Sequence, residues 1–204
     1  MRVIGLTGGI AAGKSSVARM LEKRGAVIID ADQLAREVVM PGRPAYRAVV
    51  AAFGSGILNP DRTIDRGALG RLVFADAAAR RRLEKITHPA IGARAEERLA
   101  ELRSSGLPAV FYMAPLLVEA GAASRVDEIW VVYVDRETQV ARLMERDGSS
   151  REEALRKIAA QMPMDEKKTF GRVVIDNRGT PAETELQVRD IWEREFGTAV
   201  KGER

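Results

Sequence analysis

Five short runs of apolar and β-branched residues, at positions 3–7, 26–29, 109–113, 128–134 and 172–175, predict strands. Most are continuously apolar rather than alternating, the pattern of strands covered on both faces. Between them, apolar positions at helical spacing predict helices over 14–24, 89–103, 136–146, 151–162 and 181–196. Strands that alternate with helices predict an α/β fold on a parallel sheet. No internal repeat is present.

The spacing is uneven. Roughly eighty residues separate the second and third runs, whereas a βαβ unit needs only about thirty. That interval predicts an inserted helical subdomain over residues 33–105, with turns at Pro41-Gly42, Gly54-Ser55-Gly56 and Asn59-Pro60-Asp61. A second excursion, residues 139–170, carries Arg142, Arg146, Arg151, Arg156, Lys157, Lys167 and Lys168 and reads as a mobile basic lid. The remaining segments, 1–32, 106–138 and 171–204, form the core, with a free tail expected from residue 200 to 204.

At 204 residues, one core with an insertion is a better prior than two independent domains. The absence of cysteine excludes disulfides and thiolate metal sites and fits a reducing cytoplasm. The apolar run at the start is too short for a signal peptide, and no segment approaches a transmembrane span. A formal charge of +4 favours polyanionic ligands, nucleic acid and phosphorylated small molecules alike.

The chemistry starts at Gly8-Gly9-Ile10-Ala11-Ala12-Gly13-Lys14-Ser15, a G-x-x-x-x-G-K-S loop between a predicted strand and a predicted helix. Its glycines let successive N–H groups and the positive end of the helix converge on one anion. Lys14 can reach the β- and γ-phosphates of ATP, and the Ser15 hydroxyl can ligate Mg²⁺. No guanine-recognition motif is found, and the chain is short for a motor ATPase, which leaves a small-molecule kinase. A glycine turn capping an ordinary helix is the bland alternative.

The second strand ends in Asp30-Ala31-Asp32, at the edge where α/β sheets bind ligands, and strand alternation puts both carboxylates on one side. One would take the proton of an attacking hydroxyl, with Asp30 a second candidate for the metal; helix capping is the competing role. The third strand lacks a terminal aspartate, so Glu119 is another candidate carboxylate, alternatively a partner for a lid arginine. Arg142 and Arg146, four apart, share a helix face able to close over phosphates; Arg80-Arg81-Arg82 reads as a solvated face. His88, the only histidine, precedes Pro89 at the expected start of a helix.

Taken together, Gly5-Leu6-Thr7-Gly8-Gly9-Ile10, Gly13-Lys14-Ser15-Ser16, Ile29-Asp30-Ala31-Asp32, Thr87-His88-Pro89, Pro115-Leu116-Leu117-Val118-Glu119, Thr138-Gln139, Arg146-Asp147, Gln161-Met162 and Ile175-Asp176-Asn177 resemble the dephospho-coenzyme A kinase family over nearly the whole chain. The resemblance implies a three-layer P-loop NTPase fold with a five-stranded parallel sheet, a coenzyme A-binding subdomain and a lid. It implies phosphorylation of the ribose 3′-hydroxyl of dephospho-coenzyme A by ATP. Asp32 would be the general base, Lys14 and Arg142 catalytic, residues 9–16 the ATP loop and Asn177 a neighbour of the adenine. His88, Leu116 and Glu119 would face the acceptor. The partner is then a small molecule, with no nucleic acid or membrane, and the protein a monomer or small homo-oligomer. Rival readings are another metabolite or nucleoside kinase, or a nucleotide-sensing nucleic-acid binder; few aromatics are available to stack bases.

Three departures from the family pattern stand out. Ala11-Ala12 replaces a usual Gly-Ser; if position 11 requires positive φ, alanine there costs about 1–2 kcal/mol. Arg62 stands where a turn glycine is common. Gly171-Arg172 replaces Ala-Asp, which leaves an acceptor contact at Arg172 in doubt.

Overall fold

The computed structural model describes residues 1–197, so the tail expected at 200–204 lies outside the described residues. In chain order the elements are β1 (Arg2–Thr7), α1 (Lys14–Glu22), β2 (Val27–Asp30), α2 (Ala31–Glu37), α3 (Pro44–Phe53), α4 (Arg66–Ala75), α5 (Ala77–Arg103), β3 (Ala109–Met113), β4 (Glu128–Tyr133), α6 (Arg136–Asp147), α7 (Arg151–Ala159), α8 (Met164–Lys167), β5 (Val173–Asp176) and α9 (Pro181–Phe196). They divide into two units, residues 1–29 with the chain from Gly106 onward, and Asp30–Ser105.

In the first unit the strand order is β2-β3-β1-β4-β5. β1 pairs in parallel with β3 (Ile4 opposite Phe111) and with β4 (Leu6 opposite Trp130), and β4 pairs in parallel with β5. β1 is the central strand, and from Val3 to Thr7 every residue is buried, as a strand sandwiched between helical layers must be. α1 and α9 supply apolar faces through Val17, Leu21, Val188 and Trp192. Phe111 and Trp130 meet edge to face, 5.1 Å between centroids, beneath them. Because the chain leaves β1 toward β2 and leaves its neighbour β3 toward β4, in opposite directions across the sheet, the loop after β1 opens at the crevice where the strand order reverses.

α6 begins on Asp135, whose side chain accepts from the Thr138 amide, and ends on Gly148 at φ 63°. α7 and α9 each start with a reciprocal capping box, Ser150 with Glu153 and Thr180 with Glu183. The helix expected over 151–162 ends at Ala159. Pro163 disfavours helical backbone at the residue before it, and Gln161 and Met162 leave the helix.

The second unit is helical. Gly42 (φ 88°) and Gly54 (φ 80°) sit at the expected turns, and Val49, Ile57 and Leu69 form its own small core. α5 differs from expectation. It starts at Ala77 and runs straight through Pro89, so His88 lies mid-helix and exposed rather than at a helix start. Pro89 offers no N–H to the carbonyl of Lys85, but both residues face outward, where water can serve that carbonyl. Packing of Gly92, Ala95 and Leu99 inward holds the helix together across the break. Among the described residues no helix is long and apolar enough to cross a membrane.

Candidate active site

The loop after β1 folds back sharply. Gly13 is left-handed at φ 88° and is the N-cap of α1, whose start has neither a side-chain cap nor an acidic residue in its first turn. A bound anion would therefore supply the negative charge this helix end lacks. Around it lies a cavity of about 660 Å³ lined by Gly9, Ala11, Ala12, Gly13, Lys14, Ser15 and Ser16, with Arg142 and Arg146 from α6 and Asn177. That size suits a nucleotide-scale ligand. Glu145, Met20, Gly179 and Pro181 complete the lining.

The loop's shape is enforced from outside as well as by its glycines. The Ile10 amide donates to Gln161 Oε1 at 2.7 Å while its carbonyl accepts from Gln139 Nε2 at 2.8 Å, so one residue is gripped through both of its backbone groups. The Gly9 amide donates to the Met164 sulfur at 3.0 Å. A Cβ at Gly9 would sit 2.7 Å from Gln139 Nε2 and 2.8 Å from that sulfur, so any side chain there would displace the two groups that hold the loop. Ala11 holds φ 59°. Its methyl packs with Ile10, Leu155 and Ile158 on a small core of Val140, Leu143 and Ala154 between α6 and α7.

Lys14 Nζ donates to the carbonyls of Gly8 (2.7 Å) and Gly9 (3.2 Å), curled back over the loop it belongs to. The two lining arginines differ. Arg142 donates to the backbone carbonyl of Asn177 at 2.7 Å. Arg146 is tied to Asp147 at 2.7 Å, and Lys157 reaches the same carboxylate at 2.8 Å; Arg146 first and Lys157 second hold Asp147 well below the usual carboxylate range. Arg146 thus brings a largely compensated charge, and Arg142 is the stronger candidate for a ligand phosphate. The same compensation runs through the excursion at 139–170. Arg151 pairs with Glu137, Arg156 with Glu152, Lys168 with Asp165, and the enclosed Lys167 with Glu119 at 2.7 Å. The basic character read there from the sequence is mostly neutralised by acids within the excursion and by Glu119 and Glu137 beside it.

Several curated and solved proteins are similar to this chain over most of its length. The dephospho-CoA kinase family model matches residues 2–183. The chain belongs to the dephospho-CoA kinase family. The dephospho-CoA kinase of Geobacter sulfurreducens is 66% identical over 196 residues, covering 96% of this chain and 100% of the relative. That of Geobacter metallireducens is 70% identical over 192 residues, covering 94% and 96%. A crystal structure from Thermus thermophilus superimposes with a TM-score of 0.81 at 33% identity, covering 95% of this chain and 97% of that one. The dephospho-CoA kinase of Campylobacter jejuni gives 0.73 at 28% identity, covering 96% and 98%.

Of the residues singled out by resemblance to dephospho-CoA kinases, the structure gathers Gly9, Ala11 to Ser16, Arg142 and Asn177 around one cavity. Ile10 supports the loop through its peptide, while Leu116 is exposed and Glu119 lies against Lys167 and the Met162 amide. Glu119 therefore has a lysine partner rather than a lid arginine. Asp30, Asp32 and His88 belong to the helical unit. Strand alternation does not hold at Asp30-Ala31-Asp32, because α2 starts at Ala31. Asp30 is its N-cap, accepting from the Asp32 amide at 2.9 Å, and Asp32 occupies the first turn. Sequence reasoning gave no role to Gln139, Gln161 or Met164. For Gln139 and Gln161 a signal was present in Thr138-Gln139 and Gln161-Met162, segments that resemble the family's but were not linked to the loop; none pointed to Met164.

The departures from the family pattern also find their places. Ala11 and Arg62 (φ 65°) are the non-glycine residues at positive φ among those described. Arg172 pairs with Glu128 at 2.7 Å and with Glu195, and Arg2 joins the same acids. These groups mark the beginnings of β1, β4 and β5, the sheet edge opposite the phosphate loop, so Arg172 is a structural ion-pair residue.

Proposed function

We propose that the chain transfers the γ-phosphate of ATP to the ribose 3′-hydroxyl of 3′-dephospho-coenzyme A, releasing ADP and coenzyme A. The observation that carries this reading is the cavity over residues 9 and 11–16, with Lys14 and Arg142 on its wall, in a chain of this family. In the reaction the 3′-oxygen forms the new bond to the γ-phosphorus, the bond to the β-phosphate oxygen breaks, and the hydroxyl proton passes to Asp32. Loop amides and Lys14 hold the β- and γ-phosphates, and Arg142 offsets the charge that spreads over the transferring group.

Ser15 would hold Mg²⁺. No cluster of three or more acidic or histidine side chains is found among the described residues, and one hydroxyl suits an ion whose other ligands are phosphate oxygens and water. When bound, that ion supplies charge neutralisation at the phosphates. Asp30 remains the second candidate, with Oδ1 engaged in capping α2.

On the acceptor side, residues 33–105 would hold the coenzyme A moiety, with His88 and Leu116 as contacts, while residues 139–170 act as a lid that excludes water. Glu119 would act indirectly, by fixing the 161–167 segment through Met162 and Lys167. A cytoplasmic setting completes the reading, supported by the absence of cysteine.

The test is ADP formation from ATP and Mg²⁺ with 3′-dephospho-coenzyme A, set against a panel of nucleosides and small metabolites. Stimulation by dephospho-coenzyme A alone is expected. Turnover on another acceptor and none on this one would discard the acceptor assignment and keep the phosphotransfer site.

A further inference from the structure

Asn177, on the loop after β5, is 7% exposed, and each of its polar groups has a distinct partner. Its amide N–H donates to the Tyr133 carbonyl at 2.8 Å, continuing the β4–β5 ladder. Its own carbonyl accepts from Arg142 at 2.7 Å. Nδ2 donates to the Ala12 carbonyl at 2.8 Å, and Oδ1 accepts from the hydroxyl of Thr184, a residue with no exposed surface, also at 2.8 Å. The Ala12 carbonyl can only accept, so it selects the amide orientation that faces Nδ2 toward it, and the Thr184 hydroxyl must then donate to the other end.

Two pieces of the phosphate machinery are therefore registered to one residue. The Ala12 carbonyl begins the peptide that enters left-handed Gly13 and then Lys14. A Cβ on Gly13 would overlap the Asn177 amide, so the loop is seated directly on that side chain. Arg142 is held on the same residue from the α6 side. Both ends of this side chain are committed to the protein, so its orientation is fixed before a ligand enters the cavity that Asn177 lines.

We propose that Asn177, oriented by Thr184, is a positioning residue that sets the Ala12–Gly13 peptide in register with Arg142 for phosphoryl transfer. The proposal rests on the phosphotransfer reading of the cavity. A merely structural role for the pair, holding β5 to α9, would move stability without moving the chemistry.

The experiment is a cycle on the whole enzyme with ATP, Mg²⁺ and dephospho-coenzyme A. Thr184→Val removes the hydroxyl at nearly constant volume and Thr184→Ser retains it; the valine variant is also combined with Arg142→Ala. Thr184→Val is expected to lower kcat about tenfold or more with KM for dephospho-coenzyme A unchanged, and Thr184→Ser to stay within about threefold of wild type. In the Arg142→Ala background the same valine change should cost less than about threefold, because the partner it aligns is gone. A fall in Tm with kcat retained, or full multiplication of the two effects, would overturn the proposal. Should Thr184→Val not fold, Asn177→Asp replaces it in the same cycle, since it can still accept from Thr184 but sets an acceptor against the Ala12 carbonyl. A wild-type chain that ignores dephospho-coenzyme A and phosphorylates another acceptor overturns the acceptor reading alone, and the cycle run with that acceptor still decides the role of Asn177.

Discussion

The ammonium of Lys167 lies 2.7 Å from the carboxylate of Glu119, and the lysine side chain has no exposed surface. The same nitrogen donates to the Pro115 carbonyl at 2.8 Å, and Glu119 accepts from the Met162 amide at 3.3 Å. The pair thus ties the turn after β3 to the stretch that delivers Gln161 and Met164 to the phosphate loop.

Removing one member of a buried pair leaves the other charge without compensation. Lys167→Met is expected to destabilise the fold by about 3 kcal/mol, the lower end for such losses because the Glu119 side chain keeps 22% of its surface exposed. Glu119→Gln combined with Lys167→Met should recover much of that loss. Urea unfolding of the two single variants and the double variant measures this. A loss under about 1 kcal/mol for Lys167→Met would show that the pair is not buried in solution.

Ala11 and Arg62 share a left-handed backbone but not an environment. Relief of strain by glycine contributes about 1–2 kcal/mol at either position, while added unfolded-state entropy opposes it by about 0.4–1 kcal/mol. At Ala11 the methyl also packs against the Val140 and Leu143 core, worth about 0.8 kcal/mol. Ala11→Gly is therefore expected to leave stability within about 1 kcal/mol of wild type, and exposed Arg62→Gly to raise it by about 0.5–1 kcal/mol. Equal gains at both positions in chemical denaturation would remove the role assigned to the Ala11 methyl.

The contrast between these two alanine and arginine positions shows what the sequence makes legible. Strand runs and the phosphate loop are readable because they depend on contiguous residues and fixed spacing, and β1, α1 and the cavity follow from them. Asp32 was placed by strand alternation, which fails because Asp30 caps a helix one residue later; capping and strand ending use the same residue types. Pro89 looks like a boundary locally, and only the inward packing of Gly92, Ala95 and Leu99 carries α5 across it. The Gln139, Gln161 and Met164 contacts join residues more than a hundred positions from the loop. Nothing in their own segments says which peptide they hold.

Arg172 anchors an ion-pair group whose pH dependence has a definite sign. Hydrogen bonding to Arg172 is the first cause that holds Glu195 below its ordinary value, with Arg2 adding to it. A depressed carboxylate stabilises the fold above its unfolded value near 4.5 and loses that contribution as pH falls through the folded value. Arg172→Ala should return Glu195 toward the ordinary range, so that acid unfolding followed by circular dichroism begins at higher pH. At neutral pH, kcat should stay within about twofold, because the group lies at the sheet edge opposite the loop. A large fall in kcat with unchanged acid stability would instead place Arg172 in acceptor recognition.

Lys14 and Asp32 separate binding from chemistry. Lys14 is seated on the loop that would hold the phosphates, so Lys14→Ala should abolish measurable nucleotide binding along with turnover. Asp32, in the first turn of α2, has no part in that cavity lining, and as the general base it would act only on the acceptor hydroxyl. Asp32→Asn is therefore expected to leave ATP affinity, measured by calorimetry, nearly intact while turnover falls about 10²-fold or more. Its residual activity should also lose the acid limb of the wild-type pH–rate profile that protonation of the base would cause, since asparagine has no carboxylate to take up a proton. Comparable loss of ATP affinity in both variants, or an unaltered acid limb in Asp32→Asn, would assign the proton transfer to another group.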